Sequence, residues 1–254
     1  MGKIKYEVYK EVAWVTINRP DKRNAIDYEV MDRLEEILAE IEECQNSKIV
    51  VITGSGSQAF CSGGDLSAFH SLVTQKEAYK MLSRMGKILQ KIFLFPKPTV
   101  ALLNGTAVGG GCEIAVSCDF RVAKKRAKFG FIQGKLGITT GWGGAAMLYE
   151  RISQSEAMRL LMSAKAVTAE KGKELGFINH TVEPENLKEE CLDWLQPFLE
   201  QPLSVLKAYK SYWLSKCNEN KIIERMDEEI YHCSVLWESD EHHQAVRTFL
   251  NKNK

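Results

Sequence analysis

The chain has 254 residues, 44% of them hydrophobic, which suits one large domain or one domain with an appendage. Lys and Arg total 34 against 33 Asp and Glu, so a net charge of +1 offers no global field for nucleic acid, and no stretch approaches the roughly 20 apolar residues of a membrane span. The seven cysteines are scattered, without CxxC or Cys/His spacing, which argues against a metal site and for free thiols in a reducing, cytoplasmic setting.

The N-terminal run MGKIKYEVYKEVAWVTI alternates like a strand pair and lacks the apolar core of a signal peptide. NRPDKRNA then breaks the pattern with a proline and a polar cluster. Asp27 is placed to cap a helix whose apolar face is Met31, Leu34, Ile37, Leu38 and Ile41. KIVVITG reads as a buried strand followed by the loop SGSQAFCSGGDL, and a longer helical segment then runs to Phe95, punctuated by Pro96 and Pro98. TVALLNG is a second buried strand, ahead of the glycine triplet Gly109-Gly110-Gly111. Strand, loop and helix recur in the order of an α/β core.

From Ser155 onward helical patterns dominate, with Pro184, Pro197 and Pro202 as breaks. Pro202 suits the first turn of a helix burying Leu203, Leu206, Tyr209 and Trp213. Ser239 or Asp240 caps a final helix carrying Ala245, Val246, Phe249 and Leu250. These helices either cover the core or pack on another subunit, and the charged pair His242-His243 reads as solvated surface.

Two glycine turns carry the chemistry. In AFCSGGDL, Gly63 and Gly64 follow a strand, and without Cβ atoms their backbone can approach a ligand closely; taken alone, such a pair is an ordinary tight turn. TAVGGGCE repeats the device at a helix start, where open N–H groups and the dipole favour negative charge. One N–H from each turn on the same oxygen would make an oxyanion hole. Glu113, three positions beyond Gly110, lies on the helix face near that donor, and its apolar flank Ile114-Ala115-Val116 argues for burial and a raised pKa. Competing motifs are incomplete: Gly54-Ser55-Gly56 has Ala59 where a dinucleotide fingerprint needs its third glycine, and there is neither a phosphate loop nor a GxSxG elbow.

At these residues the chain resembles the crotonase superfamily, also called the enoyl-CoA hydratase/isomerase family. NRPDKRNA, AFCSGGDL, NGTAVGGGCEIA, CDFRVA and the GWGG loop stand in that family's order and approximate spacing over nearly the whole chain. The resemblance implies an α/β spiral of β-β-α repeats over 1–195 and a C-terminal helical oligomerisation region over 196–254, assembled as a homotrimer or a dimer of trimers. It implies an acyl-CoA ligand, with no cofactor apart from the CoA that belongs to the substrate. It also implies that the amides of Gly64 and Gly110 hold the thioester oxygen. Ser62, Gly63, Asp65, Leu66 and Ser67 would border the adenine and pantetheine, although Asp65 better suits holding its own loop. Lys22 and Arg23, in the same turn as Ala25, would meet CoA phosphates unless they are merely solvated. Trp142 replaces a smaller residue common in hydratases; it either restricts the acyl pocket or packs in the core.

One departure matters more than the match. Glu113 aligns with the first of a hydratase's two catalytic glutamates, but Gln133 occupies the second position. A carboxylate can take and return a proton, whereas an amide only hydrogen bonds. The segment CDFRV…QGKLGITTGWGG is similar to the branch containing ethylmalonyl-CoA decarboxylase. Three expectations follow: hydratase or isomerase chemistry on Glu113, decarboxylation of a short 2-alkylmalonyl-CoA, or a CoA-binding homologue with little catalysis.

Overall fold

A computed structural model of the chain describes residues 2–183 and 185–252; Pro184, read above as a break, lies outside the described residues. The N-terminal alternation folds as a hairpin. β1 (Ile4–Tyr9) pairs antiparallel with β2 (Val12–Ile17), turning through Lys10 and Glu11, both at positive φ. Asp27 caps α1 (Tyr28–Glu43) by accepting from the Val30 amide at 3.0 Å, and the expected apolar face is buried with Val30 added. Each such side chain, fully buried, is worth roughly 1.5–3 kcal/mol.

β3 (Ile49–Gly54) and β4 (Ala59–Cys61) lead to the short α2 (Leu66–Phe69) and to α3 (Gln75–Phe93), which stops ahead of Phe95 and opens with a capping box between Thr74 and Glu77. β5 (Thr99–Leu103), β6 (Thr106–Val108), α4 (Gly110–Ser117), β7 (Phe120–Lys124) and β8 (Lys128–Gly130) complete the repeats. After α5 (Gly144–Tyr149) and α6 (Gln154–Ser163) come β9 (Val167–Thr168), α7 (Ala169–Glu174) and β10 (His180–Val182). Two sheets result: β1-β2-β3-β5-β7-β10, parallel apart from the hairpin, and a smaller β4-β6-β8-β9. The part read as helical from Ser155 therefore supplies an edge strand to each sheet. β9 and β10 are too short to carry a period-2 signal.

α8 (Leu187–Leu199), α9 (Leu203–Cys217), α10 (Glu219–Trp237) and α11 (Asp240–Lys252) close the chain. Pro197 is not a break: α8 carries it in its last turn, where few backbone bonds remain to be lost. α9 keeps its expected face only in part: Leu206 is buried and Trp213 packs on Phe93, but Tyr209 is 70% exposed. The helix buries Lys210 and Leu214 beside Leu206. The reason is an ion pair: Lys210 Nζ reaches Asp119 Oδ2 at 2.7 Å, which faces that stripe inward. α10 packs on α3 and α5, so this terminal helix covers its own core.

Candidate active site

The two glycine turns adjoin. A Cβ on Gly63 would sit 3.0 Å from the Gly110 amide nitrogen. The AFCSGGDL loop is pinned to the NRPDKRNA turn by Arg19, which donates to the Ala25 carbonyl at 2.7 Å and to Asp65 Oδ2 at 2.8 Å. Asp65 also accepts from the amide and hydroxyl of Ser67, capping α2. Buried Asn24 donates to the carbonyls of Ser55 and Ala59. With the loops held in this way, the amides of Gly64 and Gly110 donate no hydrogen bond among the described residues. Gly110 is the first residue of α4, so its N–H has no intrahelical acceptor. Open amides of this kind are suited to a carbonyl or anionic oxygen.

Glu113 is 2% exposed and its carboxylate is saturated. Oε1 accepts from Gln133 Nε2 at 2.8 Å and from the Gly141 amide at 3.3 Å; Oε2 accepts from the amides of Trp142 at 2.8 Å and Gly144 at 2.9 Å. Burial raises its pKa, against these four donors, which favour the charged form. A second carboxylate lies on the same loop. Glu229 of α10 accepts from the amides of Ala145 at 3.1 Å and Ala146 at 2.8 Å. Burial raises its pKa as well, and the charge of Glu113 adds to the effect.

The loop between them carries Trp142, whose indole lies across both glycine turns. A Cβ on Gly110 would fall 2.1 Å from Trp142 Cζ3, and one on Gly64 would fall 3.7 Å from Cζ2. Only a glycine at 110 accommodates this ring. Gln133 turns its Nε2 to Glu113 and leaves its buried Oε1 without a partner.

These groups border a cavity of about 680 Å³. It brings together Gly64, Gly110, Glu113, Gln133 and Trp142, with Arg23, Ser62, Gly63 and Leu66 on one side. Lys22, Ala25, Asp65 and Ser67 do not line it: Lys22 and Ser67 are exposed, whereas Ala25 and Asp65 are buried in the scaffold of the turn. Further lining comes from residues that sequence reasoning missed, among them Cys233, Trp237 and His242. His242 is a correction to the solvated-surface reading. It is 2% exposed, its Nδ1–H donates to the Leu136 carbonyl at 2.7 Å, and its ring packs 4.6 Å from that of Trp237. Burial lowers its pKa. Trp237 ends the preceding helix, but the carbonyl that pairs with the ring comes from Leu136, 106 residues away, and no pattern around residues 242–243 signals that meeting. Cys61, behind the first turn, is pushed up to about 12 by burial and is no nucleophile. Among the described residues no group of three or more His, Cys, Asp or Glu side chains could hold a metal ion.

The chain is similar to known proteins over most of its length. The profile of the enoyl-CoA hydratase/isomerase family matches residues 7–254. A short-chain-enoyl-CoA hydratase of Clostridium acetobutylicum is 37% identical over 177 residues, covering 70% of this chain and 67% of that protein. An ethylmalonyl-CoA decarboxylase of Bos taurus is 31% identical over 236 residues, covering 91% of this chain and 76% of that protein. The crystal structure of an enoyl-CoA hydratase from Bacillus halodurans aligns with a TM-score of 0.89 at 25% identity, covering 97% of this chain and 100% of that one. Hydratases and decarboxylases thus stand side by side among its enzyme relatives, and the chain belongs to the enoyl-CoA hydratase/isomerase family, the crotonase superfamily.

Proposed function

We propose that this protein forms a thioester enolate by decarboxylating a short 2-alkylmalonyl-CoA. The observation that carries this reading is the saturation of Glu113: both oxygens are occupied by protein N–H donors. A hydratase needs carboxylate oxygens free to orient water and to move a proton. Here the second position is an amide, and the first carboxylate has been taken up by its own loop.

Decarboxylation asks less of the site. The thioester oxygen accepts from the Gly64 and Gly110 amides; the bond from Cα to the carboxylate breaks, its electron pair forms the enolate, and CO₂ leaves. One proton, taken from solvent water, then adds to Cα to give the saturated acyl-CoA, and the hydroxide left behind is taken up by the released CO₂ as bicarbonate. Two amides aimed at an oxygen that gains charge are the main stabilising device, and loss of one donor typically costs about 2.7–4 kcal/mol of barrier. The N–H donors around Glu113 counter its charge, so it opposes a nearby substrate carboxylate less than a bare carboxylate would. Arg23 at the mouth of the cavity suits a CoA phosphate. No group beyond the CoA of the substrate is required. The exposed Tyr209 and Tyr212 on α9 suit contact with another subunit, as an assembly of three chains or two threes requires, and free thiols, five of the seven buried, suit a cytoplasmic setting; light scattering measures the assembly directly.

Hydration is the second reading, favoured by one observation: Glu113 remains a buried carboxylate with a raised pKa on the cavity wall. Assays with ethylmalonyl-CoA and crotonyl-CoA separate the two. CO₂ release without hydration is expected. Rapid crotonyl-CoA hydration that disappears in Glu113→Gln would reverse the order, and CoA binding without turnover of either ester would leave a binding homologue.

A further inference from the structure

α10 presents Met226, Glu229 and Cys233 to the loop that carries Trp142. A Cβ on Gly143, whose φ is +92°, would lie 2.3 Å from Met226 Cε, and one on Gly141 would lie 2.8 Å from Cys233 Sγ. Between these two contacts Glu229 takes the amides of Ala145 and Ala146, while Glu113 takes those of Gly141, Trp142 and Gly144. The loop is therefore gripped from both sides by carboxylates: one from α4 in the core, one from the C-terminal helices. Its only large side chain, Trp142, is 4% exposed and reaches across Gly110 and Gly64.

Resting on the reading of the cavity as a thioester site, we propose that Trp142 limits the acyl group to a short chain and that Glu229 is the positioning residue that holds it there. Glu229 touches no reacting atom in this arrangement. It acts by fixing the start of α5, so that the indole cannot swing off Gly110 to admit a longer chain. A packed indole and a fixed backbone define the end of a pocket more sharply than a mobile loop does.

Titration calorimetry of the full chain with butyryl-CoA and octanoyl-CoA tests the proposal. The wild type is expected to bind butyryl-CoA more tightly, and Trp142→Ala to shift the ratio of the two dissociation constants toward octanoyl-CoA by roughly tenfold or more. Glu229→Ala should shift the ratio the same way by about threefold, and should add nothing in the Trp142→Ala background, because the two residues act through one device. If Glu229→Ala weakens both esters equally, or its shift persists undiminished in the double variant, the residue only supports the fold and the proposal fails. A wild type that prefers octanoyl-CoA, with a ratio unmoved by Trp142→Ala, also overturns it. A wild type that binds neither ester overturns instead the thioester reading beneath it. Should Glu229→Ala not fold, Glu229→Gln keeps one acceptor oxygen and is expected to move the ratio less, in the same direction; an unmoved ratio counts against the proposal.

Discussion

The two glycine turns and the glycine-rich loop that carries Trp142 border one cavity, and their amides have opposite fates. At Gly64 and Gly110 the N–H groups meet no acceptor among the described residues. At Gly141, Trp142 and Gly144 every N–H is consumed by Glu113. The backbone chemistry is the same in both. What differs is whether the fold places a carboxylate within 3.3 Å. Amides left open can serve a ligand, whereas amides already bonded serve the loop, and here they serve it by fixing the side chain that overhangs the open pair.

The contrast breaks most severely at Gly110→Ala. The new methyl would drive into Trp142, which the clasped loop cannot release. Turnover is expected to fall about 100-fold or more, measured as kcat on ethylmalonyl-CoA. Glu113→Gln attacks the other side. It sets an NH₂ group against amides that need an acceptor, and stability should fall by about 2–3 kcal/mol, read from the urea midpoint at constant slope.

A pH titration sharpens the same point. Glu113 and Glu229 both have pKa values raised in the fold, by burial and, for Glu229, by the charge of Glu113. Across the interval between the unfolded value, about 4.3, and the raised folded ones, the folded chain binds more protons than the unfolded one. Stability is then greatest below that interval and falls as pH rises through neutrality. The fall should be shallower in Glu229→Gln; a stability that rises from pH 5 to 8 and is unaffected by that change would contradict the pairing. The smallest effect is expected from Gln133→Leu. It removes one donor and leaves Glu113 Oε1 with the Gly141 amide alone, at a cost of about 1 kcal/mol, measured by the same denaturation.

Much of this was legible in the chain itself. The hairpin, the Asp27 cap, the buried strands and the glycine turn at the start of α4 all rest on local rules: alternation, side-chain capping and the absence of a Cβ. The same holds for Ser239, whose hydroxyl accepts from the His242 amide at 3.2 Å and caps α11. The pattern was less informative about which way a helix faces. Tyr209 fell on the expected apolar stripe of α9, yet a charge-paired lysine took the buried position, because its ion pair with Asp119, in the distant turn between α4 and β7, outweighs local periodicity. His242 looked solvated beside charged neighbours and is buried because Leu136 and Trp237 come to meet it.

Sequence alone determined the N-terminal hairpin, the buried strands β3 and β5, the helices α1 and α3, the two glycine turns, the single carboxylate at 113 and the amide at 133, since each depends on residue type at a fixed local spacing. Tertiary structure decided that Glu113 would be saturated, that Glu229 would share its loop and that Trp142 would lie across Gly110. Each of these is a meeting of segments far apart in the chain, and hydrogen-bond geometry of about 3 Å is set by how whole helices pack, which no local pattern encodes.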